Sequence, residues 1–216
     1  MIALAWVLAI FMTLTLHEFS HALVARMCGD KTAEYAGRLT LNPIAHIDIW
    51  GLIALLILGF GWAKPVPYNP YNLKDPKWDS VKVALAGPAS NLIFALIAAI
   101  VIRLIIAFGL VGGANLMIVF LFFIVLINLF LAIFNIIPVH PLDGSKLLFA
   151  LLDNPKYAGF RQAIAVRGPQ VLMALIVISI ISNFNIFFFL SAPAYATCSV
   201  MLGQNCSWFF SSLFAL

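Results

Sequence analysis

The chain has 216 residues, of which 64% are hydrophobic and 9% charged, with a formal net charge of +4, and its mean hydropathy is +1.08. That composition excludes an ordinary soluble domain, and long continuous apolar runs exclude a β-barrel, whose segments alternate. The basic residues are sparse and lie beside apolar stretches, which argues for a lipid bilayer and against nucleic acid as partner. The predicted fold is an all-α polytopic membrane protein, a helical bundle with a short extended or re-entrant segment on the cytoplasmic side.

The first predicted span covers residues 2–27 and stops at Cys28-Gly29-Asp30. It lacks a basic leader and a small-residue cleavage site, so it reads as a retained helix rather than a signal peptide. Leu39 to Asn42 looks extended, ahead of Pro43. Residues 44–63 are apolar around Asp48, but the clear apolar stretch, Ile49–Phe60, is short for a span. Both flanks are basic, so this segment is expected to dip into the membrane and return. Lys64 to Lys82 is a polar loop rich in Pro and Asn. A second span is expected over 87–108, with Pro88 in its first turn, and a third over 115–137, ended by Pro138 and Pro141. A helix over 142–152, a loop over 153–170 and a last span over 171–190 follow, leaving 191–216 as an apolar tail in the outer interface.

Lys and Arg cluster in three zones, Arg26–Arg38, Lys64–Lys82 and Lys146–Arg167, whereas 109–115 and the tail after Leu190 carry none. The positive-inside rule puts the three zones in the cytoplasm. Arg103 is the exception, and its side chain can snorkel to the far interface. Cys198 and Cys206 fall outside on this topology and can pair in an oxidising compartment.

The most informative residues are His17-Glu18-Phe19-Ser20-His21, inside the first apolar helix. Ionisable groups are costly in lipid, so their presence there signals function. Two His at i and i+4 share a helix face and can grip one Zn²⁺. Glu18 is too close along the chain to be a good third ligand, but it can reach a water on such an ion as general base. A third ligand must come from elsewhere: Glu34, His46, Asp48, His140, Asp143 and Asp153 are the candidates. Asp143 stands out, at a proline-broken helix end followed by Gly144. Sixteen residues of helix put His17 roughly 24 Å below the outer end, a depth that a break at the cytoplasmic end of the third span can meet.

Together with Ala86-Gly87-Pro88-Ala89-Ser90-Asn91, Leu41-Asn42-Pro43-Ile44-Ala45-His46-Ile47-Asp48 and Asn135…Pro138…Pro141-Leu142-Asp143-Gly144, the His17–His21 motif resembles the site-2 protease family of intramembrane zinc metalloproteases, peptidase family M50. The likeness covers most of the chain in the family's order, without a PDZ or CBS segment. It implies one Zn²⁺ per chain held by His17, His21 and Asp143, Glu18 as catalytic base, and Asn135 and Asn91 near the substrate or oxyanion. The implied activity is hydrolysis of peptide bonds in or near transmembrane segments, at the cytoplasmic side of a prokaryotic inner membrane. The substrates would be membrane proteins such as anti-sigma factors or remnant signal peptides. The extended Leu39–Asn42 stretch is expected to pair with an unwound substrate by β-addition, and His46 and Asp48 to brace its loop. The rival reading is a membrane divalent-metal transporter that uses the same His/Asp cluster.

Overall fold

The computed structural model describes residues 1–58, 61–110, 115–182 and 188–214. Helix α1 (Ile2–Met27) is followed by the short α2 (Thr32–Tyr35), α3 (Ile49–Leu58), α4 (Trp78–Ala107) and α5 (Leu116–Ile136). Then come α6 (Gly144–Leu151), α7 (Ala158–Ser182), α8 (Phe188–Leu202) and α9 (Cys206–Phe214). Among the described residues, four helical stretches are long and apolar enough to cross a membrane: Ile2–Met27, Trp78–Ala107, Leu116–Ile136 and Pro155–Ser182. The chain is thus an all-α integral membrane protein.

Helices α1, α4 and α5 form the centre of the bundle. In lipid no hydrophobic force pulls helices together, so small residues that admit close backbones and polar residues that bond across helices do that work. The buried faces fit this. Ala5, Ala9 and Thr13 lie on α1, and Gly87, Asn91, Ala95, Ala98 and Ile102 lie at helical spacing on α4. Phe122, Val125 and Leu129 fill the space from α5.

Three boundaries differ from the sequence expectation. Helix α4 begins at Trp78, not near residue 87, and Pro88 lies well inside it. The reason is Asp75: its carboxylate accepts the Lys77 and Trp78 N–H groups (both 3.1 Å), while Asp79 accepts the Asp75 N–H (2.9 Å). These bonds satisfy orphan donors of the first turn and start the helix a few turns early. Helix α7 likewise begins before residue 171, because Asn154 accepts the Lys156 N–H and Pro155 starts a turn that runs on into Ala158; the described part of this helix ends at Ser182, and 183–187 lie outside the described residues. The expected interfacial tail contains α8, which packs on α5 and α4 through Leu190, Ala194, Cys198 and Leu202. Recurrence every fourth residue gives α8 one buried stripe. A Cys198–Cys206 disulfide ties it to α9, whose Phe209 meets Phe122 edge-on with ring centroids 5.2 Å apart. Arg103 packs beside Gly203, at the turn after α8.

The ten-residue α3 is about 15 Å long, half of a hydrocarbon core. An isolated antiparallel bridge pairs Ile47 with Ala63, so the chain returns to where it left. Leu39 and Thr40 form a bend rather than an extended edge; the paired backbone is 47 with 63.

Candidate metal centre

His17 and His21 project from the same face of α1 toward Gly87 of α4. A Cβ on Gly87 would stand 2.5 Å from both His17 Cε1 and His21 Nε2, so only glycine lets α4 pass the two imidazoles. Gly144 plays a similar part at the other half of the site. A Cβ there would fall 2.0 Å from the Ile136 carbonyl oxygen. Its absence lets the start of α6 fold back against the end of α5 and carry Asp143 inward.

The three groups meet. The His17 and His21 Nε2 atoms are 3.0 Å apart, and Asp143 Oδ2 lies 3.3 Å from the first and 3.5 Å from the second. Each imidazole is fixed from behind. His17 Nδ1 donates to Asn91 Oδ1 (2.6 Å), and His21 Nδ1 donates to the Val83 carbonyl (2.7 Å). The proton on each ring then sits on Nδ1, which leaves both Nε2 lone pairs facing the carboxylate. Three acceptors thus converge with no proton between them, and Asp143 Oδ2 is buried without a hydrogen-bond donor. A cation resolves that arrangement. Two imidazole nitrogens, one carboxylate and an open fourth position suit a catalytic zinc. The chosen atoms of all three residues lie within 4.8 Å of one another, so the donor set fits zinc.

Behind His17 lies a polar relay that the sequence reading did not anticipate. Asn91 Nδ2 donates to Asn128 Oδ1 (2.7 Å), and Asn128 Nδ2 donates to Thr13 Oγ1 (2.7 Å) and the Ile124 carbonyl (2.8 Å). All three side chains are buried. Asn91 thus uses its Oδ1 on His17 and an Nδ2 proton on Asn128, and it does not line the cavity that holds the two imidazoles. Asn128 was visible as a lone amide in an apolar run, but one sequence cannot tell which helix it faces. Asn135 lines the cavity in front of the site and donates to the Leu131 carbonyl (3.0 Å) through one of its two N–H groups.

Glu18 lines the same cavity, of about 480 Å³, and its Oε2 accepts the Val66 N–H at 2.9 Å. The other candidates point elsewhere. Glu34 pairs with Arg26 (3.2 Å), His140 stacks on Phe149, and Asp153 bonds Lys77 and Arg161. His46 bonds the Thr40 carbonyl (2.8 Å), and Asp48 accepts the Gly51 N–H at the start of α3 (2.8 Å). A second, larger cavity of about 750 Å³, mostly apolar, adjoins the first and shares Leu14, Trp62, Leu131, Phe134 and Ile176 with it.

The chain matches peptidase family M50 over residues 5–112 and 105–179. It belongs to that family. This M50 chain is 41% identical over 160 residues to the Bacillus subtilis protein "Putative zinc metalloprotease YwhC", a match that covers 73% of each. It is 27% identical over 146 residues to "Zinc metalloprotease MJ0392" of Methanocaldococcus jannaschii, covering 67% of this chain and 33% of that protein. No solved structure matches it. Family and relatives make it a metalloprotease, and zinc is the metal they imply.

Proposed function

We propose that this M50 protein is an intramembrane zinc metalloprotease, cutting peptide bonds in or near transmembrane segments of membrane proteins. His17, His21 and Asp143 would hold the zinc and Glu18 would be its general base. When bound, zinc supplies Lewis acidity, both to water and to the scissile carbonyl. Glu18 takes the proton that the attacking water loses and gives it to the departing amide nitrogen. The second Nδ2 proton of Asn135 is free to bond a substrate carbonyl oxygen as negative charge develops there. Asn91 and the Val83 carbonyl keep both imidazoles in the tautomer that presents Nε2.

The observation that carries this reading is the convergence of two Nε2 atoms and Asp143 Oδ2 among apolar helices, in a cavity that also holds Glu18. The basic zones favour a cytoplasmic-facing site in a prokaryotic inner membrane. Substrates there are expected to be single-span proteins, of which membrane-anchored anti-sigma factors and remnant signal peptides are two classes. The test reconstitutes wild type and Glu18→Gln in vesicles, measuring zinc content and cleavage of a single-span substrate. Wild type is expected to cleave, and Glu18→Gln to keep its zinc and lose cleavage. Full activity in Glu18→Gln removes the mechanism. Zinc uptake into the vesicles without cleavage by wild type establishes a transporter instead.

A further inference from the structure

Arg38 is a buried cation with no carboxylate partner within ion-pair distance among the described residues. Its guanidinium instead donates to two consecutive carbonyls of the returning strand, Lys64 (2.6 Å) and Pro65 (3.2 Å). The next peptide N–H, of Val66, is the one that binds the Glu18 carboxylate. The same strand is pinned on its other side by the Ile47–Ala63 bridge and by Lys64 N–H donating to the His46 carbonyl (2.9 Å). His46 itself lies against Arg38, Nδ1 to guanidinium 3.4 Å. Burial disfavours the charge on Arg38, and the Glu18 carboxylate offsets this across the loop.

We infer that Arg38 is a positioning residue for the general base: it clamps the 64–66 strand so that the Val66 N–H holds Glu18 at a fixed place beside the metal ligands. Two forked donors on adjacent carbonyls fix both position and tilt of a peptide, which a single point charge does not. A carboxylate with several rotatable bonds gains a defined position from one short N–H bond, provided the N–H is itself rigid. Removal of the clamp leaves the ligands untouched, since Asn91, Val83 and the end of α5 fix those. The effect belongs to the chemical step, where displacement of a reacting group by about 1 Å costs up to a hundredfold.

The inference rests on the proteolytic reading above, with Glu18 as base. Its test uses zinc-loaded full-length protein in vesicles and a single-span substrate. Arg38→Met removes the clamp, and Val66→Pro removes the N–H while keeping both Arg38 carbonyls. Each is expected to lower kcat about ten- to a hundredfold with KM and zinc content unchanged. The double variant is expected to be no slower than the slower single one, because both act through the same bond. A risen KM with normal kcat, lost zinc, multiplying effects, or normal kcat in Val66→Pro each overturns the inference. If Arg38→Met does not fold, Val66→Pro decides alone. Wild-type cleavage with unimpaired variants sinks only this inference; a wild type that cleaves no membrane substrate sinks the proteolytic reading and this inference with it.

Discussion

Substitution of Asn91 by Leu tests the relay behind His17 at nearly constant shape. Asn91 is 0% exposed and His17 5%, so the His17 Nδ1–H that now bonds Asn91 Oδ1 at 2.6 Å would find no water to replace it. Stranding a buried donor costs about 1–3 kcal/mol. The ring can escape that cost by moving its proton to Nε2, the atom that faces His21 and Asp143, and so loses its lone pair toward the metal. Loss of a partner behind a metal-bound histidine weakens metal affinity by about 10- to 100-fold, which is about 1.4–2.8 kcal/mol at 1.4 kcal/mol per decade. Competition for zinc against a chelator of known affinity, in detergent, measures this directly. A metal-free melting curve separates it from loss of fold. Asn128→Leu, one bond further from the ring, is expected to weaken zinc less. Zinc affinity in Asn91→Leu within twofold of wild type, with the fold intact, would refute the reasoning.

Three further outcomes are expected. Gly87→Ala puts a methyl 2.5 Å from both imidazoles, so metal analysis should show most of the zinc lost; near-normal content would mean that α4 can shift aside. Asp143→Ala should lower zinc content sharply while His140→Ala leaves it unchanged, and the reverse result would reassign the third ligand. Burial alone would raise the Asp30 carboxyl, but bonds from Thr32, Asn72 and Asn69 outweigh it and hold it below the ordinary range. Its stabilisation is therefore complete above the unfolded value of about 3.9 and lost as pH falls through the folded one. Asp30→Asn should melt below wild type at pH 7, with the gap closing under acid; a gap that stays constant from pH 6 to pH 3 would contradict this.

What could be read from the sequence was whatever depends on local chemistry. An apolar helix interrupted by His17, Glu18 and His21 announces itself, as does an aspartate beside two prolines at the end of a span. The end of α1 follows from its stop at Cys28-Gly29-Asp30, and the limits of α5 from an apolar run closed by Pro138. Pro88 misled because proline suits a first turn, whereas the Asp75 and Asp79 bonds had already begun the helix. The start of α7 was missed as well, because Asn154 and Pro155 begin its first turn ahead of the apolar run. Asn128 and Arg38 were hidden for another reason. Their roles depend on partners 37 and 26 residues away, and nothing in a single chain of letters records which helix or strand comes to lie opposite.

The glycine at position 87 has a consequence beyond making room. Where a side chain would stand, the backbone of α4 lies directly against the two rings. The cavity that holds the rings is lined by Trp62, Val66 and Asn135 and, from α4 itself, by Val83 and Ala84. Helix α4 is thereby both the wall against which the imidazoles rest and, through the Val83 carbonyl and Asn91 Oδ1, the source of the two acceptors that orient them, so a small displacement of this one helix disturbs both rings at once.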